Sequence, residues 1–420
     1  MRDLLGALDH RRDRPQRVIE VEGEGKDSHA RIVVMPSARC GNGAKAGRES
    51  AAMPTPRYAP EPPYRHGSAP RIGVLLVNLG TPDAPRTAEV RRYLAEFLSD
   101  PRVVEIPRAI WLAILHGIIL RVRPAKSAAK YASVWTAEGS PLAVWTRRQA
   151  TMLQGYLGER GLQVTVAHAM RYGQPAVAAT LDQLKQAGCD RILVLPMYPQ
   201  YSGTTTASVW DAVAAWSLKQ RNLPELRFVK QHHDEPSYID ALARRVEDFW
   251  AREGRGDHLL LSFHGVPERT LHLGDPYHCQ CLKTGRLLRE RLGLSEQNLS
   301  VSFQSRFGKA KWLEPYTEAT LKGLAKRGVK HLQVFCPGFP ADCLETLEEI
   351  AIEGRELFLH AGGQRFEHIP CLNDHPAWIQ SLVAIVQRHT GGWPVMRDEQ
   401  PRAAELESQR LRALALGAKT

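Results

Sequence analysis

The sequence predicts an α/β protein made of two doubly wound domains, each a four-stranded parallel sheet flanked by helices. Three observations lead there. From Arg71 onward, short aliphatic runs alternate with amphipathic stretches of helical period. The alternation occurs twice, with four strand candidates each time, as parallel sheets with crossover helices require. The first strand candidate, Ile72–Leu79, is a continuous aliphatic run rather than apolar at every second residue, which marks a strand covered on both faces.

In chain order, residues 1–70 stand apart. They hold twelve Lys/Arg, nine Asp/Glu and six prolines between Pro54 and Pro70. Periodicity is poor apart from a short strand candidate at Arg31–Met35, so a disordered extension is expected, with Met35 and Met53 as alternative starts. The first domain is expected over 71–235. Its strands are Ile72–Leu79, Val164–Ala169, Arg191–Pro196 and Leu226–Gln231, with helices at Pro175–Ala187 and Thr205–Lys219. An insertion over about 102–145 separates the first two strands. The second domain is expected over 236–392, with strands His258–His264, Leu299–Gln304, His331–Cys336 and Arg365–Pro370. Its helices are Cys279–Leu292, Pro315–Arg327, Leu344–Leu359 and Pro376–Arg388. Residues 393–420 are a tail.

The composition is that of a soluble globular protein, with 43% hydrophobic and 24% charged residues in a chain of 420. A formal net charge of +11 favours an acidic partner: nucleic acid, anionic lipid or a small polyacid. No apolar run reaches the roughly 18 residues of a spanning helix. The seven cysteines are scattered and odd in number, unlike a disulfide framework, which suits a reducing cytoplasm. Neither GxGxxG nor GxxxxGK[ST] follows a strand, so no nucleotide is expected.

Open sheets of this kind bind ligands beyond the carboxyl ends of their strands, and the chemistry-bearing residues fall there. His264 ends an aliphatic strand and precedes a sharp Gly-Val-Pro turn. It reads either as a structural histidine or as a base. After the third strand of the same sheet, Glu345, Glu349 and Glu353 follow at i, i+4 and i+8, with Asp342 just before. This row reads as a solvated helix face or as a path for protons or metal. Asp342 and Glu345 also suit a helix N-terminus. In the first domain, Ser202, Thr204, Thr205 and Thr206 open a helix, either as alternative caps or as an anion anchor. Tyr198 and Tyr201 add aromatic surface, and Arg171 and Tyr172 hold an equivalent strand-end place. Within the insertion, Pro107–Pro124 is an apolar stretch between Arg102/Arg108 and Arg121/Arg123. It is a buried core helix or a lip that dips into an anionic membrane surface. A crevice with aromatic walls, anion anchors, one imidazole and a carboxylate row fits a flat dianionic macrocycle that exchanges protons for a metal.

The stretches "VNLGTPDAP" (77–85), "YASVWTAEGSPL" (131–142), "YPQYSGTTTAS" (198–208), "SFHGVPERT" with "GDPY" (262–277), "FQSRFGKAKWLEP" (303–315) and "DCLETLEEI" (342–350) resemble the ferrochelatase family of class II chelatases, bacterial type, in that order. The resemblance spans about 71–388. It implies two Rossmann-like, chelatase-like domains without a nucleotide, and a lyase that inserts Fe²⁺ into protoporphyrin IX in the last step of haem synthesis. It implies His264 and Glu345 as the catalytic, metal-handling pair, with Glu349, Glu353 and Asp342 as a proton or metal path. Tyr198, Arg171, Tyr172, Thr204, Tyr131, Trp312 and Arg123 correspond to porphyrin-pocket residues, and Trp111, Ile114 and Ile118 to the membrane lip. A monomer or weak homodimer, cytoplasmic and peripheral on the inner membrane, with no nucleic-acid partner, completes the expectation.

Two departures stand out. Cys343 occupies a position where many relatives have His. The loop position used for a [2Fe–2S] cluster in animal members is Gly203, no cysteine follows Cys371, and Cys279 and Cys281 are one residue apart. No cluster is therefore expected. Two rival readings are a tetrapyrrole carrier without chemistry and a chelatase for cobalt or nickel.

Overall fold

Every residue from Ile72 to Val77 apart from Gly73 is a buried hydrophobic, which places this strand at the centre of a covered sheet. The computed structural model describes residues 58–306, 308 and 310–419. In the first lobe, β1 (Arg71–Gly80) leads through α1 (Thr87–Leu98), α2 (Arg108–Ile114), a π-helical turn (Leu115–Ile119), α3 (Leu120–Val134) and α4 (Pro141–Glu159) to β2 (Val164–Tyr172). Then come α5 (Val177–Gln186), β3 (Cys189–Pro196), α6 (Thr206–Ser217) and β4 (Glu225–Phe228). The sheet order is β2-β1-β3-β4, all parallel.

The second lobe repeats this plan. It runs α7 (Pro236–Glu253), β5 (His258–His264), α8 (Glu268–His272), α9 (Tyr277–Arg291), β6 (Leu299–Gln304), α10 (Thr317–Lys326) and β7 (His331–Phe335). A π-helix (Glu345–Gly354), α11 (Arg355–His360), β8 (Arg365–Ile369), α12 (Pro376–His389) and α13 (Ala403–Ala415) follow. The order β6-β5-β7-β8 is again parallel, so both lobes put strand ends and crossover loops on equivalent sides. One apolar cluster joins them: Ile72 and Leu76 of β1, Leu153 of α4, Tyr238 and Leu242 of α7, Leu261 of β5, and Trp378 and Leu382 of α12. Truncating such a residue to Ala costs roughly 2–5 kcal/mol, so the shared core ties the two sheets into one body.

Three sequence expectations change. The helix expected over Leu344–Leu359 is π-helical up to Gly354 and α-helical only from Arg355. The end of the supposed extension is anchored: Ala59 N–H donates to the Lys219 carbonyl at 2.8 Å. Glu61 pairs with Lys185 at 2.5 Å and accepts from the backbone N–H groups of Arg221 and Asn222. The rest of that extension, with the strand expected at Arg31–Met35, lies outside the described residues. The lip is only half as expected. Trp111 is buried, donates its indole N–H to the Leu98 carbonyl at 2.6 Å, and packs with Tyr93, Leu94 and Leu115. Ile114 is half-buried against the same cluster, while Ile106, Ile110, Ile118 and Val122 are exposed. No helix among the described residues is long and apolar enough to cross a membrane.

Candidate functional site

At the carboxyl ends of β5 and β6, the sheet register pairs His264 with Gln304. β5 is buried up to Phe263, so the His264 imidazole is the first side chain of the strand to reach open space. Its Nδ1 lies 2.6 Å from the Gly265 carbonyl oxygen. A carbonyl only accepts, so Nδ1 carries the hydrogen, which in the neutral ring leaves the lone pair on Nε2. The Tyr277 hydroxyl donates to the His264 carbonyl at 2.9 Å and steadies the strand end. Gly265 is needed for the turn, since a Cβ there would stand 2.7 Å from the Gln304 carbonyl oxygen and 3.1 Å from the Trp312 ring.

Gln304 links this strand end to the acids. Its amide donates to the Glu345 carbonyl at 3.0 Å, and its own oxygen accepts from the Ser262 hydroxyl at 2.7 Å. Ser305, the next residue, gives both its backbone N–H and its hydroxyl to the Glu349 carboxylate, at 2.6 and 2.5 Å. Its φ is +67°, a left-handed conformation that costs a non-glycine residue about 1–2 kcal/mol. Two charge-assisted hydrogen bonds offset that cost.

The carboxylate row begins at the π-helix. Its i→i+5 bonding gives a wider turn than the α-helix that the spacing implied. The acids have separate partners rather than one solvated face. Lys130 of α3 reaches across with its ammonium 2.7 Å from Glu353 and 2.9 Å from Glu348. Burial and the neighbouring Glu353 hold the Glu348 carboxyl above its usual pKa in spite of Lys130. Glu345 is half-buried and faces the insertion. Burial, and then the Glu345 charge, hold the Tyr131 phenol well above its usual range. Tyr131 meets the Tyr93 ring edge-on, with centroids 6.4 Å apart. Asp342 is not joined to the row. Its carboxylate accepts from Thr346, from the Asn373 amide and from the Cys371 backbone N–H.

The first-domain residues assemble differently from expectation. Arg171 donates to Asp100 at 2.7 Å and to both the carbonyl and the hydroxyl of Ser208. Tyr172 is buried and donates to the same Asp100 oxygen at 2.8 Å. The anion these residues hold is thus the protein's own. Thr204 shares the pattern. Its neighbours Ser202 and Gly203 donate to the Asp275 carboxylate of the second lobe at 2.9 and 2.7 Å, and Thr204 bonds Ser202 at 3.1 Å. The hydroxyl run does bind a carboxylate, as a clasp between lobes. Tyr198 and Trp312 are half-buried, and each has a buried polar atom, Oη and Nε1, without a hydrogen-bond partner. Burial lowers the pKa of the Arg123 guanidinium.

Of the cysteines, Cys343 is enclosed by Leu142 and Ala341, and burial, with the Glu345 charge, pushes its thiol up. Cys279 is exposed and Cys281 is buried in the core, so the two point to opposite sides of α9. A surface hollow of about 480 Å³ lined by Arg244, Glu247, Asp248, Arg291 and His375 shares no residue with this site and is crossed by its own ion pairs. Gln304, Ser305, Lys130 and Glu348 were missed in the sequence. Only the first two had a signal, their place at the end of β6.

The ferrochelatase family model matches residues 71–390. A ferrochelatase of Methylibium petroleiphilum is 65% identical over 362 residues, covering 86% of this chain and 99% of that protein. One from Polaromonas sp. is 61% identical over 366 residues, covering 86% and 99%. Among solved structures, SirB from Bacillus subtilis with Fe³⁺ is similar at a TM-score of 0.48 and 12% identity, covering 76% of this chain and 96% of that one. The chain belongs to the ferrochelatase family, and with it to the lyases that place a metal ion in a porphyrin.

Proposed function

We propose that this chain inserts ferrous iron into protoporphyrin IX to give protohaem, the terminal step of haem synthesis, with His264 and Glu345 carrying the exchange. Iron is the substrate, its oxidation state does not change, and two pyrrole protons leave as one Fe²⁺ enters. The observation that carries this reading is the bond from Gln304, the register partner of His264, to Glu345. It ties the backbone of the acid to the strand end beside the base. The lone pair at Nε2 suits His264 to accept a pyrrole proton or to hold the ion briefly. Glu345 relays protons or escorts iron, with Glu349 and Glu353 beyond it. Tyr131, Tyr198 and Trp312 form apolar walls that bend the macrocycle. Such a pocket can supply about 1–5 kcal/mol of strain from binding elsewhere on the ligand.

The lobe over 236–392 supplies the chemistry, and the lobe over 71–235 supplies walls and lip. The lip's membrane contact falls on Ile106, Ile110, Ile118 and Val122, with Arg121 and Lys126 exposed beside them to meet anionic head groups. This would hold the chain at the cytoplasmic surface of the inner membrane, where a poorly soluble porphyrin collects. The test is an anaerobic assay of purified protein with protoporphyrin IX and Fe²⁺, followed by absorbance. Conversion to haem supports the reading, and bound but unmetallated porphyrin supports a carrier.

A further inference from the structure

Near the start of the π-helix lies a second group of metal-ligating side chains. Asp342 follows β7, His368 is on β8, and Cys371 lies just past its end. One ligand atom from each lies within 4.8 Å of the other two. All three are enclosed, with side-chain exposure of 6% for Asp342 and 8% for His368, and Cys371 fully buried.

The Cys371 thiol donates to the Cys336 carbonyl at 4.0 Å, but His368 is not bonded into the group. His368 Nε2 is buried without a hydrogen-bond partner. The nearest Asp342 oxygen is 4.0 Å away, too far for a hydrogen bond. The carboxylate, by contrast, is oriented by Asn373, Thr346 and the Cys371 N–H, as the carboxylate ligand of a metal is by its outer shell. Arg245, the cation beside them, donates to the Pro370 carbonyl at 2.9 Å.

We propose that Asp342, His368 and Cys371 form a second metal site, separate from the one at His264 and Glu345, for a borderline divalent cation of the Zn²⁺ class. Mixed nitrogen, sulfur and oxygen donors select such ions over Mg²⁺ or Ca²⁺. Ligands about 2.1 Å from a tetrahedral ion lie roughly 3.4 Å apart, so the Asp342–His368 pair needs to close by about half an ångström. Thiolate and carboxylate together neutralise the ion, and a water takes the fourth position. The bound ion ties the end of β8 to the turn three residues before Glu345 and stiffens that turn.

The test uses reduced, metal-free protein titrated with Co²⁺ without porphyrin. A thiolate-to-cobalt charge-transfer band is expected in the near ultraviolet. It should saturate at one ion per chain and disappear on adding Zn²⁺. The band should be lost in Cys371→Ser and in His368→Gln, and kept in Cys343→Ser and in His264→Ala. Persistence in His264→Ala separates this site from the proposed reaction. If Cys371→Ser fails to fold, His368→Gln and the parent titration decide. No band in the reduced parent at several equivalents of Co²⁺ overturns the proposal, as does a band that follows Cys343 instead of Cys371.

Discussion

Lys130 and Glu353 meet 2.7 Å apart, although the insertion carrying one and the second-lobe helix carrying the other are 223 positions apart in the chain. The same ammonium binds Glu348, so the outer end of the carboxylate row is closed by a cation from the other lobe. The row is therefore not a solvated helix face.

Lys130→Met should cost about 1–3 kcal/mol, because it leaves the buried Glu348 carboxylate without its cation. Its effect should appear in the pH profile. The Glu348 carboxyl already titrates above its usual range, and losing the cation raises it further. The acid limb of kcat/KM should shift to higher pH. An unchanged profile would disconnect Glu348 and Glu353 from turnover.

The lip splits by residue. Ile110, Ile118 and Val122 changed together to Ser should release the protein from anionic liposomes without lowering Tm, because all three are exposed. Trp111→Ser should instead destabilise the fold by roughly 3–5 kcal/mol, as buried aromatic truncations do. A stable Trp111→Ser protein that has lost liposome binding would reverse the assignment.

Asp100 is a structural centre. Its oxygens accept from Ser208, Tyr172 and Arg171 and from the Arg102 backbone. Burial alone would raise its pKa, but these bonds win and lower it. The folded state therefore holds the charged form more tightly than the unfolded chain does. That stability is present above the ordinary carboxylate pKa and is lost as pH falls through the lowered one. Asp100→Ala should cost about 3–5 kcal/mol near neutral pH by stranding Arg171, with the gap to the parent narrowing in acid. Urea melts across pH measure this, and a pH-independent gap would contradict it.

His232 gives a second pH signature. It stacks on Trp378 with both ring nitrogens buried and unpartnered, and burial lowers its pKa to about 3. Between that value and the ordinary one near 6.5, the unfolded chain binds the extra proton. Stability is then full above about 6.5 and declines as pH falls toward the lowered value. His232→Leu should remove this decline at little cost near neutral pH, since no hydrogen bond is lost. A decline of unchanged size in the variant would place its origin elsewhere.

What was legible in the sequence follows physical range. β1 and β5 were readable because strands covered on both faces are aliphatic along their whole length. His264 stood out because the buried run of β5 ends there. The π-helix was not, since acids four apart fit an α-helix equally well. Arg171 and Thr204 were expected in the porphyrin pocket, but Arg171 donates to Asp100, and Ser202 and Gly203 beside Thr204 donate to Asp275, each more than seventy positions away. Local pattern carries donor type, whereas the partner is set by topology. Lys130 lacked any local signal for the same reason.

The central claim is that His264 is the base beside the entering metal, and the most direct measurement is the anaerobic insertion rate of His264→Ala at saturating porphyrin and Fe²⁺. A positioned base contributes about 10²–10⁴-fold. A loss in that range is expected, with porphyrin affinity and Tm retained, because Tyr131, Tyr198 and Trp312 are untouched. A rate within a few-fold of the parent would remove His264 from the chemistry and leave Glu345 alone to carry it.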